Sequence, residues 1–420
     1  MRIIADLHIH SGYSRATSKE MTLPAIGRWA AKKGICIVGT GDFTHPAHFS
    51  SICESLAPSG SGLFVLKEEQ EKARPTSFML TAEVCNIYTQ GGKTRKVHSL
   101  IFADSIETAQ RINTALASRG NVSSDGRPIL GFPVKDLLKI VLDASPDAML
   151  IPAHAWTPWF SIFGSKSGFD SIEECFGDDS RHIHAIETGL SSDPGMNRRL
   201  SALDNICLIS NSDAHSPSKL GREANVFDCD LSYTAITGAI KARDPARFLY
   251  TIEFFPEEGK YHHDGHRACG IMFTPEETEK ARANCPVCGR GLTVGVLNRI
   301  AELADRDEGS TPAGTIPSRH VIPLAEIVAE VIGTGINTKK VQNEYDRLTT
   351  EAGTEFEILL DMGFDEIASA GGARLAEAIT RVRQGNVAIS PGFDGEFGRI
   401  SIFGEKDLIV PAGPVQTGLF

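Results

Sequence analysis

Residues 1–14 read MRIIADLHIHSGYS, and the run from Arg2 to His10 decides how the rest of the chain is understood. RIIA is a short, β-branched apolar run of the kind that forms a buried strand. Side chains alternate faces along a strand, so Asp6, His8 and His10 point one way while Leu7 and Ile9 point the other. A buried strand that ends in three titratable side chains on one face is a preassembled row of metal ligands. The same residues exclude a secretory signal at this end, because His8 and His10 interrupt the apolar segment it would need.

Further apolar runs recur as ICIVG, SFMLT, KVHSLIF, AMLIP, HAIE and ICLIS. Helical stretches lie between them, such as TLPAIGRWAAKKG, where Thr22 caps and Gly34 stops the helix. Strands alternating with helices imply a parallel sheet, open or closed into a barrel. The residues at the ends of these runs matter more. Asp42 comes after ICIVGTG, Glu83 after SFMLTA, His154 after AMLIPA and Glu187 after HAI; His98 lies within KVHSLIF, and Asp213 and His215 come after ICLISNS. The C-terminal ends of barrel strands carry active sites, so these residues converge at one rim. One such residue alone is usually a turn former or a cap. Repeated at strand after strand, imidazole and carboxylate with hardly any lysine suit several divalent cations.

At 420 residues the chain exceeds a usual single domain, so two or three are expected. Its 41% hydrophobic and 23% charged residues are those of a soluble globular protein, and no apolar run is long enough to span a membrane. A cytoplasmic location with no membrane partner is expected. Nine cysteines, odd and scattered, fit reduced thiols better than a disulfide framework. HRAC and CPVC are the exception: His266, Cys269, Cys285 and Cys288 form two half-sites fifteen residues apart, suited to one tetrahedral structural zinc. His262 and His263 stand close by as alternatives for the fourth ligand. The net charge of −11 argues against indiscriminate nucleic-acid binding but leaves room for a local basic groove. Neither a GxxxxGK phosphate loop nor a dinucleotide GxGxxG is present.

HIH after the first strand, Glu83, PAH at His154 and NSDAH at Asp213 and His215 resemble the motifs of the PHP superfamily of metal-dependent phosphoesterases. That resemblance implies a distorted seven-stranded β/α barrel over residues 1–240. It also implies two or three active-site cations (zinc, manganese, iron or magnesium) on His8, His10, Asp42, Glu83, His98, His154, Asp213 and His215. Two departures bear on that set: many members carry a further histidine where this chain has Ala16, and GDFTH replaces their TDH, so Asp42 is taken as the ligand ahead of His45. With the zinc-binding segment at 241–310 and a mainly helical region with PGFDGEFG at 311–420, the whole chain resembles endonuclease Q. The resemblance implies a DNA repair enzyme that nicks on the 5′ side of uracil, hypoxanthine, xanthine or an abasic site.

Catalytic roles are then expected of Asp213 and His154, with Glu187 orienting a ligating imidazole. Ser14, Arg15 and Lys19, directly after the HxH, are placed to contact flanking phosphates. Trp156 and Trp159, in an aromatic loop after His154, are placed to stack on or enclose an extruded base. A sliding-clamp partner has no clear motif. Two rival classes remain: a PHP-type phosphomonoesterase, which leaves the zinc segment unexplained, and a non-catalytic DNA-binding module, which predicts a broken ligand set.

Overall fold

The computed structural model describes residues 1–404. Strand β1 (Arg2–Asp6) lies within a large mixed sheet, with β2 (Ile37–Gly39) parallel to it and β3 (Ser77–Gln90) parallel to β2. From there the all-parallel expectation fails. β4 (Lys93–Ala103) returns antiparallel to β3, and β5 (Met149–Pro152) is antiparallel to β4. The reason is Gly91-Gly92, both at positive φ, which joins Gln90 to Lys93 in a two-residue hairpin turn. A connection that short can only reverse the chain.

β6 (Ala185–Glu187) and β7 (Cys207–Ile209) form a parallel pair of their own. β8 (Ala224–Asp228) returns to pair antiparallel with β1, and β9 (Phe248–Glu253) lies antiparallel to β8. Ladder bonding is nearly absent where β7 meets β1 and β8, and two asparagines join them instead. Asn211 Oδ1 accepts from Leu7 N at 2.8 Å, and Asn225 holds both the N–H and the carbonyl of Ser210. One backbone bond, from His10 N to Ala214 O, completes this seam.

Met79, Leu100, Phe102, Met149, Ile151 and Ile209 bury one face of these strands. With a period of two, Glu83 continues the Met79 face and His98 the Leu100–Phe102 face, so the apolar layer runs directly into titratable side chains. Helix α1 (Leu23–Lys33) covers the outer face through Leu23, Ile26 and Ala30. Thr22 sits at its N-cap with no side-chain bond, and Gly34 ends it in the left-handed region.

The sheet continues past residue 240 through β9, because β12 (Ser318–His320) pairs with it in parallel. Between the two, β10 (Asp264–His266) and β11 (Ile271–Phe273) form a small hairpin that carries His266. Helices Leu324–Ile332, Lys339–Glu351, Phe364–Gly371 and Ala373–Arg383 enclose a separate core of Leu324, Ile327, Leu348, Leu375 and Ile379. That bundle is fastened to α1 by a buried ion pair between Lys33 and Glu355 at 2.8 Å. A last hairpin comes from β13 (Ala388–Ser390) and β14 (Arg399–Ser401). Among the described residues no helix is long and apolar enough to cross a membrane.

Candidate metal centre

Two groups of ligand atoms gather at the ends of the strands. His8, His10 and Asp213 form one, and Glu83, His98 and His154 the other; within each, the atoms lie within 4.8 Å of one another. Glu83 joins them. Its Oε1 lies 2.9 Å from His98 Nδ1 and 3.0 Å from His154 Nε2, while its Oε2 lies 3.3 Å from His10 Nε2 and 3.7 Å from His8 Nε2. His8 Nε2, His10 Nε2 and Asp213 Oδ1 are buried and, among the described residues, make no hydrogen bond of good geometry, although Asp213 Oδ1 lies 3.0 Å from His10 Nε2 and 3.6 Å from His8 Nε2. Buried polar atoms left without partners are costly, so three that converge on a common point are suited to a cation. The donor set of imidazole and carboxylate fits divalent metal.

The remaining ring nitrogens are engaged behind this row. His8 Nδ1 meets both oxygens of Glu187 at 3.0 and 3.1 Å. Glu187 also accepts from Asn211 Nδ2 and His154 N. His10 Nδ1 meets Asp42 Oδ1 at 3.1 Å. Each carboxylate fixes the tautomer that leaves Nε2 free as a ligand. Thr157 Oγ1 lies 3.2 Å from His154 Nδ1 and donates to Trp159 O, so it accepts the ring proton there.

Burial and charge oppose each other throughout the centre. Burial pulls the His8 and His10 imidazoles down, but Glu187 and Asp213 around the first and Asp42 beside the second hold both well above the usual value. Burial pushes Asp42 up, yet His10 brings it to about 2. At His98 burial wins, and the ring falls to about 4 despite Glu83.

Three residues expected in the ligand row sit apart from the two groups. Asp42 is not among the facing ligand atoms: its Oδ2 is taken by Ser11 N, Ser11 Oγ and Ser14 Oγ, and its Oδ1 by His10. It holds the His10 ring in place. Asp6 does not continue the row either, because its carboxylate accepts from Ser212 N and Gly221 N on the far side of the seam. His215 stacks on His10 with centroids 4.4 Å apart, and its Nδ1 lies 2.8 Å from Asp213 O and 3.5 Å from Asp213 Oδ1, at the edge of the first group. His45 is also outside them, stacked on Tyr13 with Nε2 at Ser123 O.

Asp42, His154 and Asp213 all have positive φ, between 30° and 47°. Strained backbone persists where the surrounding structure fixes it, and it clusters at functional sites. Loop 121–128 presses on the same place. Gly126 N donates to Tyr13 O, and a Cβ on Gly126 would lie 2.4 Å from Asp42 Oδ2, so only glycine fits. This loop brings in Arg127, whose Nη1 lies 2.8 Å from Glu83 Oε2. Neither Arg127 nor Thr157 stands out in the sequence, since each belongs to a loop whose partner is remote in the chain. The GG hairpin that sets β3 against β4 was the available signal for pairing Glu83 with His98.

Ser14 is buried against Asp42 and is not available to DNA, while Arg15 and Lys19 are exposed. Trp156 is 1% exposed, packs on Phe163 and donates to Asn197 Oδ1, which makes it core and corrects its expected DNA contact. Trp159 is 39% exposed. In the other region His266, Cys269, Cys285 and Cys288 bring four ligand atoms within 4.8 Å of one another. His263 Nδ1 instead faces Phe273 O, and His262 is buried outside the group. One imidazole and three thiols are a donor set for tetrahedral zinc.

A family model for the MJ0043 C-terminal domain matches residues 323–386. The uncharacterized protein MJ0043 of Methanocaldococcus jannaschii is 34% identical over 261 residues, which cover 60% of this chain. The match spans only 32% of that relative's length. The uncharacterized protein YqxK of Bacillus subtilis is 29% identical over 95% of this chain and 99% of its own. The lesion-specific endonuclease PfuEndoQ of Pyrococcus furiosus superposes with a TM-score of 0.85 at 33% identity, covering 98% of both chains. An endonuclease Q in complex with a 27-mer duplex carrying an abasic lesion at its active site superposes at 0.84, with 33% identity over 98% of both.

The mixed α/β fold and its histidine–carboxylate centre define the class, an enzyme of the hydrolase type. Full-length agreement in sequence and structure is more specific. The chain belongs to the endonuclease Q family.

Proposed function

We propose that this chain is a DNA repair endonuclease that hydrolyses the phosphodiester on the 5′ side of a deaminated base or an abasic site. The observation that carries the proposal is the pair of ligand groups joined by Glu83, with three buried atoms left unpartnered. Its support is the full-length likeness to an endonuclease bound to a lesion duplex. In this reading β1 to β7 form the distorted seven-stranded barrel, residues 241–310 a zinc-binding unit, and residues 311–420 a helical unit of which 405–420 lie outside the described residues.

His8, His10 and Asp213 would hold one cation and Glu83, His98 and His154 another, with Glu83 shared. Such cations supply charge neutralisation at the phosphodiester and a nucleophile at neutral pH by lowering the pKa of water. Glu187, Asp42 and Thr157 keep the Nδ1 protons of His8, His10 and His154, so that each Nε2 stays a lone-pair donor. Arg127, paired to Glu83 at the edge of the centre, adds a positive charge beside the anionic substrate. Asp213, with one oxygen unpartnered, is placed either to ligate or to accept a proton. His266, Cys269, Cys285 and Cys288 would hold one structural zinc.

The test is a labelled duplex with one uracil or one abasic site, run beside a chromogenic phosphomonoester after chelation and metal add-back. Metal-dependent cleavage 5′ of the lesion is expected. Turnover of the monoester alone would place the chain among small-molecule phosphatases and overturn the proposal.

A further inference from the structure

A band of aromatic and basic side chains leads away from the metal centre, and the proposed hydrolysis makes no use of it. It begins at His98, whose ring lies 4.9 Å from Phe160, with Lys96 Nζ 5.1 Å from the centroid of the same ring. Phe160 O accepts from His98 N at 3.0 Å, which pins the loop after β5 to the ligand strand. Next in sequence, Trp159 meets Tyr261 edge to face at 5.6 Å. Lys260, beside Tyr261, lies 4.4 Å over Phe397. Phe397 is 73% exposed, the most of any large apolar side chain among the described residues.

Phe397 is not on a loose loop. The turn PGFDGEFG at residues 391–398 is laced onto residues 257–267: Gly392 N donates to Glu257 O, His263 N to Gly392 O, Gly395 N to Lys260 O and Gly398 N to Glu258 O. A Cβ on Gly398 would stand 2.1 Å from Glu257 O, so the glycines permit this close contact. Asp394 is spent on the scaffold, accepting from Arg267 N and Thr293 Oγ1. The turn offers to solvent a phenyl ring on a fixed backbone, with an ammonium beside it. A pinned backbone lowers the ordering cost of placing that ring against a base, and an ammonium beside it complements phosphate.

We propose that Phe397 is an aromatic wedge that stacks on a base unstacked from duplex DNA near the scissile phosphodiester, with Lys260 on an adjoining phosphate. That DNA is the occupant rests on the endonuclease proposal; the wedge itself can be read without cleavage.

The experiment uses the intact protein and a lesion duplex with a hydrolysis-resistant phosphorothioate at the scissile position and 2-aminopurine one nucleotide from the lesion. Wild type should raise the 2-aminopurine fluorescence on binding. Phe397→Ala should lose most of that rise and bind roughly ten-fold more weakly, while Phe397→Trp restores both; at this exposure the melting temperature should not move. Lys260→Ala should reduce the salt slope of binding by about one. If wild type binds without a fluorescence rise, or if Phe397→Ala matches wild type, the wedge is overturned, whether or not the ordinary duplex is cut. If wild type unstacks the probe yet cuts no lesion duplex with any added metal, the wedge stands and the endonuclease proposal falls.

Discussion

Replacing Asp42 by asparagine should damage the metal centre more than replacing it by alanine, the reverse of what size alone suggests. Asp42 Oδ2 accepts from Ser11 N, an obligate donor, and from two hydroxyls. In Asp42→Asn the amide oxygen must take that side, so the NH2 group faces His10 Nδ1. His10 Nδ1 then has to accept, and its proton moves to Nε2, the atom aimed at Glu83 and Asp213. Restoring the ligating tautomer breaks a hydrogen bond and leaves a buried donor facing a donor, at about 1.5–3 kcal/mol. Loss of the carboxylate also makes the ring a poorer ligand, and changes of this kind cost about 10–100-fold in metal affinity.

Together these place the loss of Mn²⁺ or Zn²⁺ affinity at His8–His10–Asp213 near 100-fold. Asp42→Ala frees Nδ1 to either tautomer, so its loss should be nearer tenfold. Its folding should suffer more, because asparagine tolerates the φ of 44° at this position and alanine does not. The assay is competition of chelated protein against a chromophoric metal indicator, with melting curves on the same samples. The expected pattern is crossed: asparagine better folded and worse at binding metal. Equal metal loss from both variants would mean that Asp42 is itself a ligand and would refute the tautomer argument.

Asp213→Asn and His154→Ala should each abolish hydrolysis while lesion-duplex binding persists; activity within tenfold of wild type would refute their assignment. Cys285→Ser with Cys288→Ser should release one zinc per chain by metal analysis and loosen residues 264–292 to proteolysis. Lys33→Met leaves Glu355 buried with Leu324 N and Tyr345 Oη as its partners among the described residues, at a cost of about 3–5 kcal/mol, and adding Glu355→Gln should recover much of it in denaturant titration. His320 and Asp193 lie 3.3 Å apart; burial opposes each charge, but the pair holds the imidazole above its usual value and the carboxylate below its own. The histidine contribution is full below about pH 6.5 and fades as pH rises through its folded value, while the aspartate contribution fades only as pH falls below about 4. His320→Gln should therefore lower the melting temperature more at pH 5 than at pH 9.

Much of the candidate metal centre was legible because histidines and carboxylates at strand ends leave a repeating local mark. All seven apolar runs are strands, and His8, His10, Glu83, His98, His154 and Asp213 come together. The sign of the strand pairing is not written in SFMLT or KVHSLIF themselves; it lies in the glycine pair between them, which reverses the chain. The bonding of Asp42 to His10 and Ser11 was not legible, because a carboxylate that binds metal and one that orients a histidine have the same sequence signature. Trp156 and Trp159 share a loop, and only the fold sends one indole to Asn197 and leaves the other in solvent. Arg127 reaches Glu83 across 44 residues, which no periodicity records.

The asparagine seam carries a consequence for how the molecule opens. His8 and His10 lie on its β1 side, and Glu187, Asn211 and Asp213 on its β7 side, so the centre straddles a joint held by side chains and a single backbone bond. A cation shared across that joint would act as a staple, closing a ring that hydrogen-bonded strands leave incomplete. Amide exchange at Leu7, His10 and Ser210 would then be fast among the buried strands before metal enters and slow sharply afterwards, because those N–H groups are among the rivets of the seam. Loading the active site and finishing the fold would be one event.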